Sequence, residues 1–250
     1  MLSIIRERLR QGHRTGKYPQ EVPTLPAHFR GRPIIDREKC QGCQECQDLC
    51  PFGALALRDG SIQIDLGRCI FCPECAAACP HGALSFSTDH RLAASCRQDL
   101  WQGQSEAKLA SALNDKMLGL FGRSLKLRVV STGGCNACEA DINVLGTLVY
   151  DLGRFGIQFV ASPRHADGLI VTGPVTENMR AALLETYAAV PEPKIVIAAG
   201  ACAINGGPFC HSPEVHNGIG DLLPVDLYIP GCPPHPYTYL DGLLRMLGQL

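Results

Sequence analysis

The sequence predicts two folded units, a small α+β unit followed by a larger α/β unit with a mostly parallel sheet. Two observations support this division: one cysteine pattern occurs twice before residue 80, and short apolar runs alternate with helical patterns beyond residue 125. At 250 residues, 46% of them hydrophobic and 19% charged, the chain is long enough for a small unit and one with a full core. The formal net charge of −1 gives no electrostatic reason to expect a nucleic-acid partner.

The two cysteine runs share the spacing C-x2-C-x2-C-x3-C-P. This spacing is typical of paired [4Fe–4S] clusters, in which the fourth cysteine of each run binds the cluster of the other run. The first cluster is expected on Cys40, Cys43, Cys46 and Cys79, and the second on Cys69, Cys72, Cys75 and Cys50. A zinc module with four cysteine ligands is the alternative, and the third close cysteine of each run counts against it.

The residues after each run repeat as well, which indicates a duplicated unit. Pro51, Gly53, Ala54 and Leu55 recur as Pro80, Gly82, Ala83 and Leu84. In a chain of this size, 14 cysteines with eight of them in cluster spacing indicate a reducing compartment rather than disulfides. We place the two-cluster domain at residues 33–95.

Residues 1–32 begin with an amphipathic helical pattern, in which Leu2, Ile5 and Leu9 share one side. The segment carries seven Lys or Arg residues and two Asp or Glu residues. Such a helix can lie on an anionic membrane face or dock on a partner, and the alternative is a solvated helix packed on its own domain. No run approaches the roughly 18 apolar residues that span a bilayer.

Residues 96–124 are interpreted as a linker with a packing helix, Glu106–Phe121, capped by Ser105. The α/β unit, residues 125–250, follows. Its predicted strands are Lys126–Ser131, Ile157–Ala161, Gly168–Thr172, Lys194–Ala199 and Val225–Ile229, because such apolar runs are typical of strands buried on both faces. Its predicted helices are Glu139–Leu152, Thr176–Ala189 and Pro236–Leu250.

Four further cysteines follow predicted strands. Cys135 and Cys138 come after the first strand, Cys202 after the fourth and Cys232 after the fifth. Loops beyond the carboxyl ends of parallel strands converge on one crevice. We therefore expect a third [4Fe–4S] site on these cysteines; a zinc site or unrelated buried thiols are the alternatives.

Residues 126–250 resemble the small subunit of membrane-bound, energy-converting [NiFe] hydrogenases of the formate hydrogenlyase kind, relatives of the cluster-bearing subunit of respiratory complex I. The stretches that carry the resemblance are GGCNACE at 133–139, SPRHAD at 162–167, GAC at 200–202 and PVDLYIPGCPP at 224–234. The resemblance implies a flavodoxin-like α/β domain whose four cysteines hold the cluster nearest the partner's active site. Complex I subunits place the first two ligands side by side, so the C-x2-C pair favours the hydrogenase branch.

Residues 1–95 resemble the separate ferredoxin-type two-cluster subunit of the same complexes, through TGKYP at 15–19 and FRGRP at 29–33. Both resemblances together imply an electron-transfer subunit with three [4Fe–4S] clusters and no catalytic residue of its own. The implied partners are an electron-donor iron–sulfur protein, a [NiFe] hydrogenase-type large subunit and an integral membrane subunit at the cytoplasmic face of the cell membrane.

Three other functions stay open: a wire in a complex I-like quinone reductase, a nickel-free hydrogenase-related complex, and a free electron carrier. Among single residues, Glu139 is a candidate for proton traffic or, alternatively, a carboxylate that complements a helix N-terminus. Arg164 is a candidate neighbour of the third cluster, and His165 is expected to be structural. Cys96 and Cys210 match no ligand position, and Cys210 with His211 and His216 lacks a fourth zinc ligand.

Overall fold

The N-terminal helix stands apart from the rest of the chain. The computed structural model describes residues 2–58, 60–103, 107–122 and 124–250. Helix α1 spans Leu2–Gln11, and all of its residues are exposed. The alternative that this helix packs on its own domain is therefore wrong. In the described part of the chain, no helix has the length and apolar character needed to cross a membrane.

The small unit is built from short antiparallel strands around the two cysteine runs. Strand β1 (Pro33–Ile35) pairs with β4 (Leu84–Phe86), and β2 (Leu55–Arg58) pairs with β3 (Ser61–Asp65), which also pairs with β5 (Trp101–Gln102). Helices α2 (Glu45–Leu49) and α3 (Glu74–Ala77) lie within the cysteine runs. The unit is thus a ferredoxin-type α+β domain, as predicted.

The α/β unit contains a five-stranded parallel sheet. Its strands are β6 (Leu125–Ser131), β7 (Ile157–Phe159), β8 (Gly168–Thr172), β9 (Ile195–Ala199) and β10 (Leu227–Ile229). Their spatial order, β7-β6-β8-β9-β10, is the flavodoxin-like order 2-1-3-4-5. Every residue of β8 and β9 is buried, which explains their continuous apolar sequences. The predicted α/β fold class is confirmed.

The helices of this part are α4 (Asp115–Phe121), α5 (Ala137–Val144), α6 (Glu177–Ala189), α7 (Gly200–Asn205) and α8 (Pro236–Met246). Three predicted helices are too long. The helix predicted from Glu106 is wrong over residues 107–114, because the side chain of Asn114 caps α4 by accepting a hydrogen bond from the backbone of Met117. The predicted start at Ser105 and Glu106 lies outside the described residues.

The other two differences are at helix C-termini. Helix α5 ends at Val144 rather than at Leu152, and the chain then turns and enters a short 3-10 helix over Leu152–Phe155. Helix α8 ends at Met246, two residues before Gly248, whose φ of +64° suits the left-handed end of a helix. A helix that the sequence did not predict, α7, follows β9 directly and carries Cys202.

The two units share a hydrophobic core. Ile64 of the small unit and Leu100 of the segment after it belong to the same buried cluster as Leu169 and Val196 of the parallel sheet. A second cluster covers the other face of the sheet, under α8. Ala94 also forms an antiparallel bridge to Tyr228 of β10, with hydrogen bonds of 3.0 and 2.9 Å. The two units are therefore held as one body through their packing.

Candidate metal centres

The structure brings the cysteines of the small unit together in two groups, each drawn from both runs. Burial raises the pKa of the Cys46 thiol, and its neighbours Cys79, Cys43 and Cys40 raise it further. Cys79, from the second run, thus lies beside the first three cysteines of the first run. These are the residues that the spacing predicts for the first cluster.

The second group has the reciprocal composition. Burial, with a contribution from Cys75, Cys50 and Cys72, raises the pKa of Cys69 to about 12, although the backbone N–H of Phe71 donates a hydrogen bond to its Sγ. The pKa of Cys75 rises to about 11 through burial and through Cys72, Cys50 and Cys46. The contribution of Cys46 shows that the two groups are neighbours.

Backbone groups hold the first cysteine of each run in the same way. The N–H of Cys40 donates to the carbonyl of Asp36 and the N–H of Cys69 to the carbonyl of Asp65, both at 3.0 Å. The N–H groups of Phe71 and Ala83 donate to the Sγ atoms of Cys69 and Cys79, both at 3.3 Å. Such N–H···S bonds are the outer contacts that tune iron–sulfur sites.

The two equivalent aspartates differ in their surroundings, and neither was among the candidates from the sequence. Asp65 is 1% exposed and accepts two hydrogen bonds from the Arg97 guanidinium, at 2.7 and 2.6 Å, and a third from the N–H of Gly67. Asp36 pairs with exposed Lys39 at 2.9 Å. The matching position of Asp36 and Asp65, each four residues before a run, is the signal that would have drawn attention to them.

The third group of cysteines lies at the carboxyl edge of the parallel sheet, because Cys135 and Cys138 follow β6, Cys202 follows β9 and Cys232 follows β10. The pKa of Cys138 is raised to about 12 by burial, then by Cys202, Glu139 and Cys232. That of Cys202 is raised to about 12 by burial, then by Cys232, Cys135 and Glu139. All four thiols are therefore electrostatic neighbours.

Two glycines leave room beside these thiols. A Cβ on Gly200 would lie 2.6 Å from the Sγ of Cys138, and a Cβ on Gly207 would lie 2.8 Å from the Sγ of Cys202. Both have positive φ angles, +86° and +53°, which only glycine adopts without strain. The backbone is thus able to approach the thiols closely.

The chemistry of all three groups fits iron. Burial and crowding disfavour several thiolates in one place; a bound cationic cluster core would supply the compensating positive charge, and its binding would release protons. Cys202 is buried, whereas Cys135 and Cys232 are exposed, so the third group opens to the molecular surface on one side. In the described residues, no three His, Cys, Asp or Glu side chains are arranged for a single metal ion.

Glu139 occupies the first turn of α5, beside the third group. Burial by itself raises the pKa of Glu139, but hydrogen bonds from Ser131, Thr172 and the backbone lower it, and the net shift is downwards. The hydroxyl of Thr172 donates to Oε1 of Glu139 at 2.6 Å. This environment holds an ionised carboxylate, which favours the structural role over proton traffic.

None of the remaining candidates is buried. Arg164 and His165 are found in a 3-10 turn, Pro163–His165, that has no buried residue, and Cys96 is exposed. Nε2 of His216 pairs with Glu177. None of these residues was predicted to be a cluster ligand.

Comparison with known proteins gives two family matches. Residues 135–246 match the family of the 20 kDa subunit of NADH ubiquinone oxidoreductase, and residues 32–92 match the 4Fe–4S dicluster domain. A probable membrane-bound hydrogenase subunit of Pyrococcus furiosus is 41% identical over 146 residues, which cover 58% of this chain and 87% of that protein.

Two further relatives represent the hydrogenase and the respiratory branches. Formate hydrogenlyase subunit 7 of Escherichia coli is 43% identical over 56% of this chain, which spans 55% of that protein. An NADH-quinone oxidoreductase subunit of Bacteroides thetaiotaomicron is 42% identical over 50% of this chain and 64% of its own length. A chain of the archaeal membrane-bound sulfane sulfur reductase is 33% identical, with a TM-score of 0.47, over 54% of this chain and 75% of its own.

The fold, the grouped cysteines and these relatives define an iron–sulfur electron-transfer subunit of hydrogenase- and complex I-like oxidoreductases. The order of units along the chain, a dicluster domain and then the parallel sheet, agrees with both family matches. The chain belongs to the family of the 20 kDa subunit of NADH ubiquinone oxidoreductase, joined here to an N-terminal 4Fe–4S dicluster domain.

Proposed function

We propose that this chain carries three [4Fe–4S] clusters and conducts electrons to the [NiFe] site of a separate large subunit, for proton reduction or H2 oxidation. The observation that carries the proposal is the grouping of twelve cysteines into three sets of four neighbouring thiols. The proposed ligand sets are Cys40, Cys43, Cys46 and Cys79; Cys69, Cys72, Cys75 and Cys50; and Cys135, Cys138, Cys202 and Cys232.

Each bound [4Fe–4S] cluster would supply a site that accepts and releases one electron. The residues of the chain have three tasks around these sites. The thiolates provide the ligands, the N–H groups of Phe71 and Ala83 donate to coordinating sulfurs, and Gly200 and Gly207 leave space for close backbone approach. The shared core between the two units fixes the three ligand sets relative to one another.

The proposed domain organisation follows the same assignment. Residues 1–32 form a segment for docking, 33–95 the two-cluster domain, 96–124 the linker with its packing helix, and 125–250 the third-cluster domain. Because Cys135 and Cys232 are exposed, we place the large subunit over this side of the third set, where it would exclude water from the cluster.

Association with a membrane complex is proposed from helix α1 and from the names of the relatives. The apolar side chains Leu2, Ile5 and Leu9 are 83%, 56% and 78% exposed, and the same helix carries Arg6, Arg8 and Arg10. A helix that combines an exposed apolar face with several arginines fits the anionic cytoplasmic face of a membrane, beside an integral membrane subunit. The electron donor would be another iron–sulfur protein.

A second candidate is a wire in a complex I-like quinone reductase, which the similarity to NADH-quinone oxidoreductase subunits supports. The spacing of Cys135 and Cys138 favours the hydrogenase branch. A nickel-free relative of the hydrogenases would carry the same three clusters, because nickel ligands are expected on the partner.

The test is the metal content of the native complex, isolated without oxygen, together with H2 evolution from a reduced viologen. The proposal expects about twelve irons in three four-iron clusters on this chain, nickel near one per copy, and H2. Twelve irons without nickel or H2 would agree with the proposed electron path but would reject the hydrogenase activity. Eight irons on this chain would reject the third cluster.

A further inference from the structure

The segment between the two units, residues 94–102, is attached to both of them. At its start, Ala94 forms the antiparallel bridge to Tyr228 of β10 in the α/β unit. At its end, strand β5 pairs with β3 of the small unit. Residues 94–102, called here the connecting segment, are therefore held by hydrogen bonds on both sides of the boundary between the units.

Arg97 lies in the middle of the connecting segment, in a 3-10 turn, and its side chain is 25% exposed. Its guanidinium donates hydrogen bonds to both carboxylate oxygens of Asp65, at 2.7 and 2.6 Å. Asp65 is 1% exposed, so this pair is largely shielded from water. Because a two-pronged arginine–carboxylate pair has a fixed geometry, Arg97 holds the connecting segment in one orientation against the end of β3.

Asp65 also fixes the start of the second cysteine run. Its carbonyl accepts a hydrogen bond from the N–H of Cys69 at 3.0 Å, and its carboxylate accepts one from the N–H of Gly67 at 2.9 Å. Cys69 is the first proposed ligand of the second cluster. Since Arg97 binds the same carboxylate, the orientation of the turn from Asp65 to Cys69 depends on Arg97.

This turn lies directly against the α/β unit. A Cβ on Gly67 would lie 2.7 Å from Cγ2 of Ile204 and 2.9 Å from Cζ of Arg97. Ile204 belongs to helix α7, which also carries Cys202, a proposed ligand of the third cluster. The turn before the second cluster and the helix of the third cluster therefore touch each other beside Arg97.

A cavity of about 200 Å³ shows the same neighbourhood from another side. Ile70 and Phe71 of the second cysteine run line it together with Cys232 of the third set, whereas none of residues 40–50 does. The second ligand set, rather than the first, thus faces the third. An electron that passes between the two units would cross this contact.

The contact carries an excess of positive charge. Nε of Arg68 lies 3.6 Å from the carboxylate of Asp65, so two guanidinium groups face one carboxylate. Arg97 is in addition an electrostatic neighbour of Tyr228 in β10, on the side of the third set. A reduced cluster carries one more negative charge than an oxidised one, so a nearby cation stabilises the reduced form.

We propose that Arg97 is a positioning residue for the electron step from the second cluster to the third. Its two hydrogen bonds hold the turn from Asp65 to Cys69 against α7, and its charge stabilises the electron beside this turn. In the step, the reduced second cluster is oxidised and the third cluster is reduced by the same electron, and no bond forms or breaks. The inference rests on the proposed function, because it requires both clusters.

The first test is EPR spectroscopy of the full chain with all clusters loaded and reduced by dithionite. The magnetic interaction between the second and third clusters depends on their distance and relative orientation. Arg97→Gln should weaken this interaction. Arg97→Lys keeps the charge but lacks the planar two-pronged geometry, so it should weaken the interaction without changing the midpoint potential of the second cluster.

The matched control is Arg68→Gln, at the other arginine of the same carboxylate. Arg68 is 42% exposed and lies on the side of the small unit, with Nη1 3.5 Å from the Cβ position of Gly53. Because Arg68 lies beside Gly53 of its own unit, its removal should leave the magnetic interaction between the clusters unchanged.

The second test is an EPR-monitored redox titration at about pH 8, where a carboxyl group is ionised. Arg97→Gln should lower the midpoint potential of the second cluster, and Asp65→Asn should raise it. Each shift should be about 59 mV, which is a tenfold change in a one-electron equilibrium. Opposite signs identify an effect of charge, whereas a loosened turn alone would shift both potentials in the same direction.

If Arg97→Gln fails to load iron, Arg97→Lys carries the interaction measurement and Asp65→Asn the potential measurement. The inference is overturned if the unaltered chain shows no magnetic interaction between these clusters, or if both Arg97 variants keep it at full strength. Shifts of the same sign in Arg97→Gln and Asp65→Asn, or a potential that does not rise in Asp65→Asn, also overturn it. Absence of the third EPR signal from the unaltered chain would instead reject the proposed function.

Discussion

The small unit and the α/β unit collect their proposed cluster ligands in different ways. The small unit places eight cysteines between residues 40 and 79, in two runs with identical spacing, whereas the α/β unit gathers four from between residues 135 and 232. In the first case short loops and two short helices bring the thiols together. In the second case the register of five parallel strands does so.

This difference predicts how far the effect of a substitution extends from its own ligand set. A ligand set formed by neighbouring residues depends on local geometry, whereas a set gathered from distant strands depends on the correct closure of the whole sheet. The two units share a buried core that includes Ile64 and Leu169. A destabilising substitution in one unit can therefore affect the other through this core. Four experiments separate these influences.

The largest effect is expected for Cys232→Ser. Removal of one thiolate from the third set should abolish that cluster, so the iron content should fall from about twelve to about eight atoms. The EPR signals of the two clusters in the small unit should remain. Cys96→Ser, at an exposed cysteine outside all three sets, is the control and should keep all the iron. Simultaneous loss of all three signals would contradict independent ligand sets.

A partial loss is expected for Gly200→Ala. The new Cβ would lie 2.6 Å from the Sγ of Cys138 on a backbone with φ of +86°, so the thiol or the loop must move. Iron content and EPR should show an incompletely loaded third cluster. The matched control is Gly82→Ala in the small unit, where φ is +56° and no atom lies within 4 Å of the Cβ position.

Gly82→Ala should therefore show only the backbone strain, about 1 to 2 kcal/mol of stability, with full iron. Equal iron loss in both variants would mean that left-handed backbone strain, rather than contact with the thiol, limits loading. The comparison thus isolates the close approach at the third set.

A moderate effect on stability is expected for Asp65→Asn. Asp65 is buried and holds Arg97 through two hydrogen bonds, so neutralising it leaves a partly buried guanidinium without its counterion. The loss should be about 3 kcal/mol, measured as the free energy of unfolding in a denaturant titration. Asp36→Asn, the equivalent position of the first repeat with an exposed lysine partner, should change stability little. Equal losses in the two variants would contradict a special contribution of the buried Asp65–Arg97 pair.

The smallest effect on the clusters is expected for the double variant Ile5→Ser, Leu9→Ser. These side chains are exposed and bury nothing within the chain, so iron content and EPR should be unchanged. Membrane retention should weaken more than tenfold in a flotation or sedimentation assay, since each buried Leu or Ile contributes roughly 1.5 to 3 kcal/mol. Glu7→Gln, on the same exposed helix, is the control. Unchanged retention of the double variant would reject membrane docking by α1.

Much of the small unit was predictable, because its information is local. A repeated spacing of cysteines and prolines predicts the two ligand sets and their exchange of the fourth cysteine, and the cysteine groups in the structure have that composition. The short strands required the structure. So did the equivalent role of Asp36 and Asp65, whose backbone carbonyls each accept a hydrogen bond from the first cysteine of a run.

The α/β unit was predictable in its strands and less so in its helix ends. The apolar runs predicted the positions of β8 and β9, because a strand covered on both faces has no polar alternation. Helix ends depend on the conformation of single residues, such as the Asn114 cap and the left-handed Gly248. The sequence around these residues has a continuous helical pattern, so the pattern predicted helices that are too long.

The sequence by itself therefore determined the fold classes, the candidate ligands and the family, since these depend on residue type and spacing. Only the tertiary structure decided that α1 is wholly exposed and that Asp65 pairs with Arg97. The physical reason is that burial and electrostatic neighbours arise from contacts between residues far apart in the chain, which no local pattern records.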